Sequence, residues 1–131
     1  MRHSGDSLAA GVAALRPECL SDTKVGISTE AYLRTHTIAV NAETVLISLG
    51  VNDGPPTVGT ARRPQALRDG VAARRVFWIL PARPPETRAL IRAIADLRGD
   101  RLIETKSFTA GDGLHLTSHA YRAISLIFDL P

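Results

Sequence analysis

Hydrophobic positions in this chain fall into two kinds of run. Residues 44–49 (TVLISL) and 75–80 (RVFWIL) are nearly unbroken stretches of β-branched, aliphatic and aromatic side chains, the pattern of strands buried on both faces. Each stops at a breaker, Gly50 and Pro81. Lys24-Val25-Gly26 and Arg101-Leu102-Ile103-Glu104 predict two weaker strands. Elsewhere the period is helical. Pro85 suits the first turn of a helix over 85–97, Leu90, Ile94 and Leu97 make its apolar stripe, and Gly99 supplies the stop. A second helix is predicted over 117–127, capped by Thr117, with Ala120, Ile124 and Ile127 facing inward. Residues 8–15 and 29–34 read as shorter helices. Residues 52–64 have no period and carry Gly54, Pro55, Pro56 and Gly59, so they predict a loop. Strands alternating with helices predict an α/β fold, a parallel sheet wrapped by helices. Met1-Arg2-His3-Ser4 is polar where a first central strand should be aliphatic. Either that strand begins late, or the natural chain continues upstream, or this edge of the sheet is covered differently.

Composition narrows the class. With 131 residues, 44% hydrophobic and 22% charged, and no repeat, linker or low-complexity tract, the chain is expected to be a single domain over 1–131. No apolar run approaches the ~20 residues of a membrane span. The first residues lack the apolar core of a secretion signal. The expectation is a cytoplasmic chain by default, a mature fragment, or export by another route. The one cysteine, Cys19, excludes an intramolecular disulfide and reads as a buried or half-buried thiol. The formal charge is +3, and lysine appears only at Lys24 and Lys106. Arg62-Arg63 and Arg74-Arg75 are the densest basic points. Acids are interspersed and the aromatics mostly lie in apolar runs, so solvated arginines are expected rather than a nucleic-acid face.

Candidate chemistry sits in the breaks between elements. Ser7 follows Gly5 and precedes a helix, where unpaired N–H groups favour a developing anion; an N-cap role for Asp6 or Ser7 explains the same position. Asp112 and His115 are three residues apart before a helix, so the carboxylate can reach one imidazole nitrogen while the other faces a substrate. An Asx-type turn at Asp112-Gly113 explains that segment equally. Asn52 follows a buried strand and a glycine, where its amide can point toward the strand's end, or where Asn52-Asp53-Gly54 is a turn. Gly26 allows a backbone N–H to approach a ligand closely. His115 and His119 are four apart, but a zinc site would need a third ligand that is missing.

In order along the chain, Gly5-Asp6-Ser7-Leu8, Gly26-Ile27-Ser28, Gly50-Val51-Asn52-Asp53 and Asp112-Gly113-Leu114-His115 resemble the four sequence blocks of the SGNH hydrolases, the GDSL esterase/lipase family. The resemblance spans nearly the whole chain, and its specificity lies in the order of the four blocks. It implies Ser7 as nucleophile, His115 as general base and then acid, and Asp112 as its partner. It implies an oxyanion hole made by the backbone N–H groups of Ser7 and Gly26 and the side chain of Asn52. The implied fold is a flavodoxin-like three-layer α/β/α sandwich with five parallel strands in the order 2-1-3-4-5. No metal or organic cofactor is implied. Thr29 stands where many relatives have a second glycine, Leu116 replaces a common proline, and His119-Ala120 replaces a glycine-containing pair.

The expected function is therefore that of a serine esterase of the O-acetylesterase type, hydrolysing acetyl or other short-chain esters through an acyl-enzyme. Its partner would be a small-molecule or carbohydrate ester, not nucleic acid or membrane. The short 52–64 loop suggests an open site, with Arg62, Arg63 and Arg83 read as solvated surface, or else as contacts for an anionic substrate. The alternative is a non-catalytic module of the same fold serving in binding or structure, which the polar first strand favours. A nucleotide-binding flavodoxin-like domain would need a glycine-rich phosphate loop after its first strand, and none is present.

Overall fold

In the computed structural model, described for residues 2–15, 19–23, 27–35, 40–49, 62–82, 85–111 and 115–127, strands and helices alternate. They are β1 (Arg2–Gly5), α1 (Ser7–Ala13), β2 (Leu20–Thr23), α2 (Thr29–Thr35) and β3 (Val40–Ser48). There follow α3 (Arg62–Asp69), β4 (Val71–Leu80), α4 (Pro85–Arg98), β5 (Arg101–Glu104) and α5 (Ser118–Ile127), with a 3₁₀ turn at Lys106–Phe108. The expected α/β class with a parallel sheet holds. The strands form one sheet in the order β2-β1-β3-β4-β5, and every pair in it is parallel.

Both faces of the sheet are covered, because side chains alternate along β3 and β4. Val45, Ile47, Val76, Trp78 and Leu80 pack with Tyr32 of α2, Leu67 of α3 and Ile91, Ile94 and Ala95 of α4. Leu46, Phe77 and Ile79 point the other way and meet Leu8 and Val12 of α1 and Ala120 and Ile124 of α5. Two cores sharing one sheet are the reason these strands read as unbroken hydrophobic runs. Among the described residues, no helix is long and apolar enough to cross a membrane.

The differences from the sequence pattern have physical causes. β3 and β4 start earlier than their hydrophobic runs, because Val40 and Val71 already pair in register while Glu43 and Arg74 of the same stretches stay exposed. β2 lies at Leu20–Thr23, ahead of the weak run at 24–26, which falls outside the described residues. The expected loop over 52–64 ends early, since α3 begins at Arg62. Pro64 sits in its first turn, where no intrahelical partner for an N–H is needed. In α4 the buried face is Thr87, Ile91, Ile94 and Ala95, so the helix is rotated from the stripe its leucines suggest. Ala95 lets the helix approach the sheet, and Leu97 is left 78% exposed. Thr117 caps α5, its Oγ1 accepting from Ala120 N at 3.2 Å. Ala120 and Ile124 face inward as expected. Cys19 is half-buried.

The polar first strand is not at an edge. β1 lies between β2 and β3, with His3 fully buried and aligned with Leu46. What holds so polar a strand in the middle of the sheet lies at its far end.

Candidate active site

Gly5, the last residue of β1, pairs in register with Thr23 of β2 and Ser48 of β3. The three residues form a row across the C-terminal ends of adjacent strands. In the observed order the chain runs outward from β1 in one direction to β2 and in the other to β3, so the row straddles the topological switch point, where open α/β sheets bind ligands.

The β1–α1 turn is locked onto β3. Gly5 has φ +138°, and a Cβ there would overlap the carbonyl oxygen of Ser48 and lie 2.7 Å from its carbon. Only glycine permits both the backbone angle and the approach. Asp6 N donates to that same Ser48 oxygen at 2.8 Å. The Asp6 carboxylate is fully buried; its Oδ1 accepts from Leu8 N at 3.0 Å and from Ser48 Oγ at 2.9 Å. Asp6 is therefore the N-cap of α1 and a cross-strand tie at once. Ser7 is the first residue of the helix, and the position of its side chain lies outside the description.

The other side of the site is built by α5 and the segment leading into it. His115 is half-buried in a bend ahead of α5, so it and His119 are not successive turns of one helix. Its carbonyl accepts from Ala110 N at 2.7 Å, and Thr117 N donates to Phe108 O at 3.0 Å. Thr109 and Leu116 form an antiparallel bridge between these two bonds. Tyr121 links this segment to α1. Its hydroxyl accepts from Leu116 N at 3.4 Å, and its ring lies where a Cβ on Gly11 of α1 would be, 2.5 Å away. The helix that opens with Ser7 and the bend that holds His115 are thus joined through one aromatic side chain. Gly26, Asn52 and Asp112 lie outside the described residues, as does Arg83. Ile27, next to Gly26, is buried, and Ser28 caps α2 by accepting from Ala31 N at 3.2 Å. Arg63 pairs with Glu30 at 3.3 Å.

The His115 segment is also anchored to the end of β5. Glu104 Oε1 accepts from the backbone N–H groups of Thr105 and Lys106, both at 3.0 Å, which starts the 3₁₀ turn. Thr105 Oγ1 donates to Leu80 O at 2.7 Å. Arg88 grips Glu104 with both arms, at 2.9 and 2.5 Å, and donates to Pro81 O at 2.6 Å. The hydrogen bonds from Arg88, with those from Lys106 N and Thr105 N, outweigh partial burial and hold the Glu104 carboxyl down at about 2, against an ordinary 4.5. A lowered pKa stabilises the folded state above the ordinary value and ceases to do so as pH falls through the folded one. Wild type is therefore expected to lose its stability advantage over Glu104→Gln between about pH 5 and pH 2, as read from paired thermal melts. A constant difference across that range would contradict the assignment.

Ser48 is the supporting residue that the sequence pattern does not single out, and Asp6 is offered there only as an N-cap, without its tie to β3. The available signal was a hydroxyl closing the aliphatic run Val45-Leu46-Ile47. A concavity of about 300 Å³, almost wholly apolar, lies between the end of β5, Phe108 and the His119–Ala123 side of α5.

Comparison with solved structures shows that the chain shares its fold with an acetylxylan esterase and a GDSL-like lipase. An acetylxylan esterase from Geobacillus stearothermophilus superposes with a TM-score of 0.63 at 14% identity, over 97% of this chain and 90% of that one. A GDSL-like lipase from Bacteroides thetaiotaomicron superposes with a TM-score of 0.67 at 15% identity, over 98% of this chain and 84% of that one. No family model matches the chain, and no curated protein matches it by sequence.

Proposed function

We propose that the chain is a serine ester hydrolase for small acyl esters, with residues 1–131 as one catalytic domain of the flavodoxin-like α/β/α type. The observation that supports this best is the row Gly5, Thr23 and Ser48. Ser7, Gly26 and Asn52 follow those three strand ends by two, three and four residues, which is the reach needed for a nucleophile and two oxyanion donors to meet over one carbonyl. The Tyr121 link between α1 and the His115 bend supplies the remaining side.

In this mechanism Ser7 Oγ attacks the ester carbonyl carbon as its proton passes to His115. The tetrahedral oxyanion is held by the N–H groups of Ser7 and Gly26 and by the Asn52 amide. Asp112 fixes the imidazole tautomer and stabilises the imidazolium. The intermediate collapses, the C–O bond to the alcohol breaks, and His115 returns the proton to the leaving oxygen. Water then attacks the acyl-Ser7 ester with His115 again as base, releasing the acid and free Ser7. No metal or organic cofactor enters any step. The preferred substrates are acetyl and other short-chain esters, carbohydrate O-acetyl groups among them, in keeping with the acetylxylan esterase that shares the fold.

A fluorophosphonate probe tests this directly, because it labels only an activated serine. Stoichiometric labelling at Ser7 is the expected result. An unlabelled, folded protein would replace this reading with that of a non-catalytic module. A p-nitrophenyl ester series is expected to give its highest kcat/KM with acetate and to decline as the acyl chain lengthens. A maximum at longer chains would overturn the short-acyl preference and point the acyl group toward the apolar concavity beside Phe108.

A further inference from the structure

The arginines that look scattered along the sequence are gathered by the fold. Arg68 of α3, Arg74 and Arg75 of β4, Arg98 of α4 and Arg101 of β5 line one polar cleft of about 240 Å³, together with Asp100. The cleft lies toward the starts of β4 and β5. Arg75 precedes Leu80, the last residue of β4, by five positions, about 16 Å of strand. It is therefore well separated from the row at the strands' C-terminal ends.

The negative charge in the cleft is already engaged. Asp100 receives both arms of Arg68, at 2.6 and 2.8 Å, and the indole N–H of Trp78 at 2.9 Å. Its side chain is 3% exposed. Arg68 and Arg98 are accounted for by structure alone. They sit in the last turns of α3 and α4, where cations complement the helix C-terminus, and Arg98 pairs with Asp69.

Arg74 and Arg101, on the strands, are not accounted for in that way. Ala73 and Val76 pack on the same core although they are three positions apart, so β4 changes phase between them. That change lets the consecutive residues Arg74 and Arg75 both border the cleft. Arg75 is oriented by its bond to Thr44 Oγ1 at 3.1 Å. The Arg101 guanidinium stands 5.7 Å from the centre of the Phe77 ring, an arrangement that positions the cation without neutralising it. Among the described residues Arg74 meets only Glu43, at 3.4 Å and with both side chains largely exposed, a contact that a stronger ligand readily displaces.

We propose that this cleft is a binding site for a small phosphate-bearing anion. Guanidinium forks match phosphate oxygens in pairs. The volume is below that of most drug-sized sites, which suits a phosphate or diphosphate group. Among the described residues no aromatic side chain lines the cleft to stack a base, so a small anion fits it better than a nucleic-acid strand does.

Isothermal titration of the whole chain at fixed ionic strength tests the proposal, with inorganic pyrophosphate and ribose 5-phosphate as separate probes. Saturable binding at one site is expected for at least one of them. Tighter binding of pyrophosphate identifies free inorganic phosphates as the source, and tighter binding of ribose 5-phosphate identifies phosphate monoesters. Arg74→Ala/Arg101→Ala removes two exposed side chains and is expected to weaken binding by about tenfold or more, with an unchanged circular dichroism spectrum. Arg92→Ala/Arg122→Ala, which removes exposed arginines elsewhere, is expected to leave it unchanged. Linear, unsaturated heats with both probes, or equal losses in the two double variants, would overturn the proposal.

Discussion

Ser7→Ala is expected to abolish fluorophosphonate labelling and to lower kcat by roughly 10⁴–10⁶-fold, as loss of the nucleophile does in serine hydrolases. The expectation is specific because the helix does not depend on Ser7 for its cap. Asp6 caps α1 and accepts from Leu8 N and Ser48 Oγ, and the first intrahelical bond runs from Ala10 N to Asp6 O. Alanine at the first helical position keeps all of these. The melting temperature should therefore stay within about 2 °C of wild type, as for substitutions that remove no cap and no backbone bond of a helix. Loss of activity with the fold intact would set Ser7 apart from a residue needed only for structure. Unchanged turnover by Ser7→Ala would refute the nucleophile assignment, and with it the acyl-enzyme.

Much of the architecture was readable from periodicity, because the elements that matter most have the strongest signals. β3 and β4 are buried on both faces, so nothing polar interrupts their central runs. Gly99 adopts φ +72° at the end of α4, which is why a glycine there reads as a stop. The pattern failed where burial depends on partners far away in sequence. His3 and Ser4 look like surface residues, yet they are enclosed by β2, β3 and the layers on either face. Leu97 looks like core, yet it is exposed because Ile91 and Ala95 set the rotation of α4.

The candidate site was legible in a different sense. Each short block has a local explanation, and Asp6 shows that a local role does not exclude a long-range one: it is a helix cap, and it also ties the turn before Ser7 to β3. What the blocks could not reveal is the tie itself. Ser48 lies 42 residues from Asp6, and only strand register brings them together. The same holds for Arg68 and Asp100, 32 residues apart. Long-range hydrogen bonds of this kind leave no periodic trace.

Gly5→Ala is expected to be the most damaging single-methyl change to the scaffold. Two costs act together. Alanine at φ +138° is strained by about 1–3 kcal/mol. Its Cβ must also displace the Ser48 carbonyl, a backbone atom in the middle of the sheet that no rotamer change can move aside, at a further ~1–3 kcal/mol. Shifting that carbonyl lengthens the 2.8 Å bond from Asp6 N and the 2.9 Å bond from Ser48 Oγ, so the turn leading to Ser7 loosens as well. A total of about 2–6 kcal/mol is a large part of the roughly 5–15 kcal/mol that stabilises a domain. It corresponds to a fall of roughly 10–20 °C in melting temperature. Differential scanning calorimetry of Gly5→Ala beside Gly111→Ala provides the control, since a Cβ on Gly111 meets nothing within 4 Å. Equal melting temperatures for the two variants would show that β1 and β3 do not approach each other as closely as the turn before Ser7 requires.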